Sequence, residues 1–128
     1  MGNTKKDKKM IKGYKDLKVY QVSYKLALIV HQITTGKFPK HETYEIGAQL
    51  RRAVISIPLN IAEGYGKKQS PKEFKRFLSM ALGSCNEVNV LIDFSKDLGY
   101  INDITYKKIY EQYDILGKRL YTLIERWK

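Results

Sequence analysis

The chain has one cysteine, Cys85, and two histidines, His31 and His41, among 128 residues. A single cysteine excludes an internal disulfide framework and suits a reducing cytoplasm, where the protein is expected to reside. Neither histidine has a His, Cys or carboxylate neighbour at metal-ligand spacing, so no metal site is expected. Cys85 lacks an adjacent base in the sequence and reads as a small buried hydrophobe, not a nucleophile. No apolar run approaches ~18 residues, which argues against a membrane span and a membrane partner. The opening MGNTKKDKKM has no apolar stretch behind its lysines, and Lys6 breaks the myristoylation pattern. Phosphate-binding glycine loops and nucleophile elbows are also missing, since Gly64 and Gly66 lack the rest of such a fingerprint. Together these absences predict a protein that is not an enzyme and holds no cofactor.

Acidic residues are scarce as well. Thirteen Asp and Glu face 24 Lys and Arg, a net charge of +11. Residues 1–15 hold six lysines against one aspartate, so +5 lies in this short segment and +6 in the remainder. Residues 1–15 are read as a basic flexible tail, and 16–128 as one domain. A basic surplus of this kind favours polyanions or acidic partners; simple solubility is the alternative.

What is present is helical periodicity. A first helix over about 16–35 starts at Asp16 as N-cap and carries two apolar rows: Leu17, Tyr20, Tyr24, Leu28, and Val19, Val22, Leu26, Ile29, Ile33. Gly36 and Pro39 stop it. A second helix begins at 41–43 and runs to Gly64. Ile46, Leu50, Val54, Ile57 and Ile61 form one stripe, while Ala48, Ile55, Leu59 and Ala62 form another roughly opposite. Two stripes predict burial on two sides, one against the bundle and one against a further layer or a second subunit. Pro58 removes the donor to the Val54 carbonyl and predicts a kink, with Ser56 and Asn60 placed to satisfy that carbonyl.

Ser70, Pro71 and Glu73 form a helix-start signal. The third helix then carries Phe74, Leu78, Ala81, Cys85, Val88, Ile92 and Ser95 at alternating spacings of four and three, beside a row of Phe77, Leu91, Phe94 and Leu98. Gly99 ends it and Asn102 caps the fourth, whose seam is Ile109, Tyr113, Leu116, Leu120, Leu123 and Trp127. No segment alternates with period two. The expected fold is all-α: an antiparallel up-down-up-down four-helix bundle with the second helix kinked at Pro58.

Seven basic residues lie between positions 51 and 76: Arg51, Arg52, Lys67, Lys68, Lys72, Lys75 and Arg76. Only Glu63 and Glu73 oppose them. Lys67, Lys68 and Lys72 surround the start of the third helix, where backbone N–H groups already favour anions. Such a surface contacts phosphates without reading bases. Some of the ten tyrosines could stack on single-stranded bases, although Tyr106, Tyr110 and Tyr113 have core-edge spacing. Glu87 is expected to be partly buried and paired with Arg51 or Arg52.

The segments DLKVYQVSYKLAL, RRAVISIPLNIAEG, FLSMALGSCNE and DLGYI closely resemble the bacterial four helix bundle protein family, also called S23 or 23S rRNA intervening-sequence proteins. The resemblance covers Asp16 to the last helix and places Arg51, Arg52, Pro58, Asn60, Glu63 and Gly64 on motif positions. Leu59 departs from the pattern, which usually has a small or polar residue there. The resemblance implies a bundle that assembles as a ring-like homopentamer. The chain is also similar to the accessory variability determinant of diversity-generating retroelements, a basic pentamer that binds nucleic acid and a reverse transcriptase. The implied partners are therefore copies of the chain itself, nucleic acid, or a protein such as a polymerase. No catalytic residue is implied.

Overall fold

The computed structural model describes residues 11–41 and 45–128. Residues 1–10, most of the expected basic tail, lie outside the described residues, as does Thr43 at the expected start of the second helix. A 3-10 turn at Tyr14–Asp16 leads into four helices: α1 (Lys18–Gly36), α2 (Ile46–Tyr65), α3 (Pro71–Asp97) and α4 (Asp103–Arg126). Each helix packs on the next, and α4 closes back onto α1 through a thinner contact. Pairs across α2 and α3 run in opposite directions: Ser56 meets Ser84, while Gly64 lies against Phe74 and Phe77. Tyr106 meets Asp93 and Gly117 faces Leu82, so α3 and α4 are antiparallel too. The result is the expected up-down-up-down bundle.

Local chemistry sets most of the boundaries. The Ser70 side chain accepts a hydrogen bond from the Glu73 N–H at 3.3 Å, with Pro71 at the first helical position. Glu73 does not complete a reciprocal capping box; its carboxylate turns to Arg76 instead. At the other end of α3, Gly99 takes φ +81°, a conformation that favours glycine. The N–H groups of Gly99 and Tyr100 donate to the carbonyls of Lys96 and Ser95, which is the Schellman pattern. Asn102 caps α4 by accepting from Thr105 N–H at 2.8 Å.

Three expected boundaries differ. Asp16 does not cap α1, because it lies in the 3-10 turn and its carboxylate accepts from Lys12 N–H at 2.8 Å. Helix α1 therefore begins at Lys18, after Leu17. Helix α2 begins at Ile46, later than the 41–43 expected. Gly64 does not stop α2; it is buried inside the helix, which ends at Tyr65. A Cβ at Gly64 would stand 2.6 Å from Phe77 Cβ and 3.1 Å from Phe74 Cδ1, so the glycine permits close approach of α2 and α3.

Helix α2 continues through Pro58, as the uninterrupted apolar spacing predicts. The flanking side chains satisfy different carbonyls from the one expected. Ser56 Oγ donates to Ala53 O and Asn60 Nδ2 to Ser56 O, each at 2.8 Å. The core contains the α3 and α4 seams. Phe74, Leu78, Tyr113, Leu116 and Leu120 are fully buried, alongside the α2 stripe of Leu50, Val54, Ile57 and Ile61. Trp127 packs edge-on against Phe74 at 4.7 Å, locking the end of α4 over the start of α3. The second α3 row divides: Phe77 and Leu91 are buried, whereas Phe94 and Leu98 are exposed. Phe94, like Val90, lies on the side of α3 turned away from the core, and Leu98 lies past the helix end.

Candidate nucleic-acid interface and apolar groove

The seven basic residues form two groups. Lys67, Lys68, Lys72, Lys75 and Arg76 gather at the turn joining α2 to α3. Arg51 and Arg52 lie near the beginning of α2, about 20 Å away along a helix that rises 1.5 Å per residue. There they line a cleft with Ser56, Ser84 and Glu87. Arg51 is half-buried, and its Nη1 donates to Thr34 Oγ1 of α1 at 3.1 Å, a structural tie between helices. Arg52 is exposed. Glu87 is exposed and not partly buried, because it points out of the α3 face that meets the core.

At the turn, aromatic rings hold several cations in place. Lys67 Nζ lies 5.9 Å and Arg76 Cζ 4.6 Å from the Phe77 centroid, while Lys68 Nζ lies 4.9 Å from that of Tyr65. Arg76 also pairs with Glu73 at 3.1 Å. This hydrogen bond, aided by the charges of Arg76, Lys67 and Lys72, holds the Glu73 carboxyl below its ordinary range. Glu73 is thus already matched by Arg76. Lys67, Lys68 and Lys72 are exposed and Lys75 is half-buried. Their charges and the capped N-terminus of α3 create one positive surface.

An apolar groove lies between α1 and α2. It has a volume of about 380 Å³ and is lined by Tyr20, Tyr24, Leu28, Ile55, Pro58 and Leu59, among others. The second stripe of α2 forms one wall, with Ile55 46% and Leu59 61% exposed. The α1 wall, with Tyr24 and Leu28 half exposed, is the outward part of the apolar row that begins at Leu17. A different apolar surface runs along the outer face of α3 through Met80, Val90, Phe94 and Leu98. The bundle core uses neither surface.

The other candidate groups are placed without a reactive arrangement. Burial pushes the Cys85 thiol up to about 12, keeping it protonated. The Tyr106 hydroxyl donates to Asp93 at 2.7 Å, and this bond holds its pKa up at about 12. Among the described residues, no three His, Cys, Asp or Glu side chains gather as a metal site would require. No described helix is long and apolar enough to cross a membrane.

The family model for 23S rRNA-intervening sequence proteins matches residues 15–122, nearly all of the bundle. The chain belongs to this family. A solved structure with the same fold is a protein of unknown function from the S23 ribosomal protein family of Bacteroides thetaiotaomicron. It is 23% identical, covers 84% of this chain and 95% of its own, and has a TM-score of 0.76. No curated protein matches the chain. In this 23S rRNA-intervening sequence protein the RRAVISIPLNIAEG segment supplies much of the α2 core stripe, the proline within the helix and the glycine at the α2–α3 contact.

Sequence reasoning missed two features. The α1 wall of the groove has no sequence signal of its own, because Tyr24 and Leu28 simply continue the apolar row of Leu17 and Tyr20. A polar cleft between α3 and α4 was also missed. Gly117, a glycine inside a helix, was the available signal.

Proposed function

We propose that this 23S rRNA-intervening sequence protein is a non-enzymatic, self-associating cytoplasmic bundle that binds RNA or DNA through phosphate contacts. The observation that carries the reading is the lysine surface at the α2–α3 turn. Lys67, Lys68 and Lys72 are exposed there while Glu73 is occupied by Arg76. Exposed ammonium groups beside a helix N-terminus recognise phosphate oxygens in any sequence. The protein isolated from its native cells is expected to carry nucleic acid that nuclease treatment removes. A partner protein retained after nuclease would favour the alternative of a scaffold for a polymerase or another acidic protein.

Self-association is supported by the two uncovered apolar surfaces. They differ in kind: one is a groove between α1 and α2, the other the exposed outer face of α3. Unlike surfaces that pair head to tail generate rings, in keeping with the pentamer that the family resemblance implies. Replacing Ile55 and Leu59 together by Glu is expected to reduce the mass in light scattering from a multiple of 14.9 kDa to the single-chain value. Helical circular dichroism should remain, because neither side chain is in the core. A wild-type monomer, or an unchanged oligomer in the double variant, would contradict this assignment.

A further inference from the structure

Three tyrosines gather at the start of α1. The ring centroids of Tyr14 and Tyr20 lie 4.9 Å apart at an interplanar angle of 71°, and those of Tyr20 and Tyr24 lie 5.9 Å apart at 33°. Tyr20 and Tyr24, four residues apart, share one face of the helix. Tyr14 meets them from the 3-10 turn. Tyr14 and Tyr20 are half-buried, whereas Tyr24 is 50% exposed. The rings line part of the α1–α2 groove and also a second recess of about 520 Å³. The rest of that recess is Lys15, Gln21 and Lys25. Neither Ile55 nor Leu59 lines it, so it lies outside the stretch assigned to self-association.

The recess combines aromatic rings with positive charge. Lys15 and Lys25 are exposed, and among the described residues neither forms an ion pair. Helix α1 contains no Asp or Glu, so no neighbour one turn away neutralises Lys25. Burial, with the adjacent Tyr14 and Tyr24 hydroxyls, raises the Tyr20 pKa, so that phenol stays neutral and does not repel an anion. A fitting ligand offers flat apolar faces and negative charge together. An unpaired nucleotide strand does so, because its bases stack on aromatic rings while its phosphates meet ammonium groups. In a duplex the base faces are covered by neighbouring bases, and only the phosphates remain available.

The recess also shares one end of the bundle with the lysine surface. Tyr14 lies beside Ala62, in the last turn of α2, and Lys67 and Lys68 follow that turn. We infer that the ligand is single-stranded nucleic acid, with bases stacked against Tyr20 and Tyr24, phosphates on Lys15 and Lys25, and the strand running on toward Lys67 and Lys68. This rests on the nucleic-acid reading above and deepens it, by naming the form of the strand and the residues that meet its bases.

Three labelled probes of equal length test it by fluorescence anisotropy: a thymidine strand, its duplex with the adenosine strand, and an abasic strand that carries phosphates alone. The intact protein is expected to bind the thymidine strand about tenfold more tightly than the abasic one. Tyr24→Ala should remove that advantage, weakening the thymidine strand about tenfold and leaving the abasic strand and the duplex unchanged. Its salt slope should stay the same, because no phosphate contact is lost. Tyr24→Phe keeps the ring and should keep the affinity. Both variants should fold, since Tyr24 is exposed. Equal binding of thymidine and abasic strands would overturn the inference. An unchanged Tyr24→Ala variant, or one weakened equally for all three probes, would overturn it too. Polyglutamate bound as tightly as the thymidine strand would assign the recess to acidic chains instead. Thymidine and abasic strands that bind alike, and are both lost on reversal of Lys67, Lys68 and Lys72, leave the lysine surface standing and remove the tyrosine site. Binding that survives that reversal but falls with Tyr24→Ala does the opposite.

Discussion

Gly64→Ala is expected to destabilise the bundle by about 3 kcal/mol and to lower its melting temperature by roughly 10 °C. The added Cβ would stand 2.6 Å from Phe77 Cβ, which is fixed directly to the α3 backbone and cannot rotate away. Relief requires α2 and α3 to separate, and that disturbs the packing of Phe74, Leu78 and Ile61 at the centre of the core. Denaturant titration followed by circular dichroism measures the change. Gly83→Ala is the internal control. No atom lies within 4 Å of a Cβ there, so the substitution should stabilise α3 by about 0.5–1 kcal/mol through helix propensity. Equal effects at the two positions would show that the α2–α3 contact is not as close as described.

Reversing Lys67, Lys68 and Lys72 to Glu should weaken nucleic-acid binding by about 100-fold or more at low salt. The loss should be similar for unrelated sequences, because these ammonium groups face phosphates and not base edges. If each lysine contacts one phosphate, the slope of log K against log salt should also become shallower by about 2–3. The fold should persist, since all three lysines are exposed. Arg76 is unsuitable for this test, because reversing it would leave Glu73 unpaired and remove the contact over Phe77. Arg52→Glu, on the separate cleft, should have the smaller effect.

Much of this architecture is legible in the sequence. The seams of α3 and α4 follow from alternating four- and three-residue spacing, and Ser70, Asn102 and Gly99 perform the capping chemistry their types suggest. The errors occur where a residue's role depends on another helix. Gly64 precedes a turn and so imitates a helix stop, and only the position of Phe77 shows that it is a packing glycine. Phe94 and Leu98 continue an apolar row, but the row drifts around α3 onto its outer face, away from the other helices. Arg51 and Arg52 are close to the lysines in the motif, yet the rigid rise of α2 carries them to a different part of the surface. The groove required the same information. Two stripes on α2 are visible in the sequence, whereas nothing in the α1 row marks Tyr24 and Leu28 as the residues that complete the groove.

The salt dependence of nucleic-acid binding by the intact protein tests the central claim most directly. Fluorescence anisotropy with a labelled single-stranded RNA and a DNA of unrelated sequence would follow affinity across a salt series. The lysine surface predicts binding to both at low salt and a linear fall of log K with log salt, with a slope of at least about −2. No binding at low salt, or binding indifferent to salt, would contradict the account.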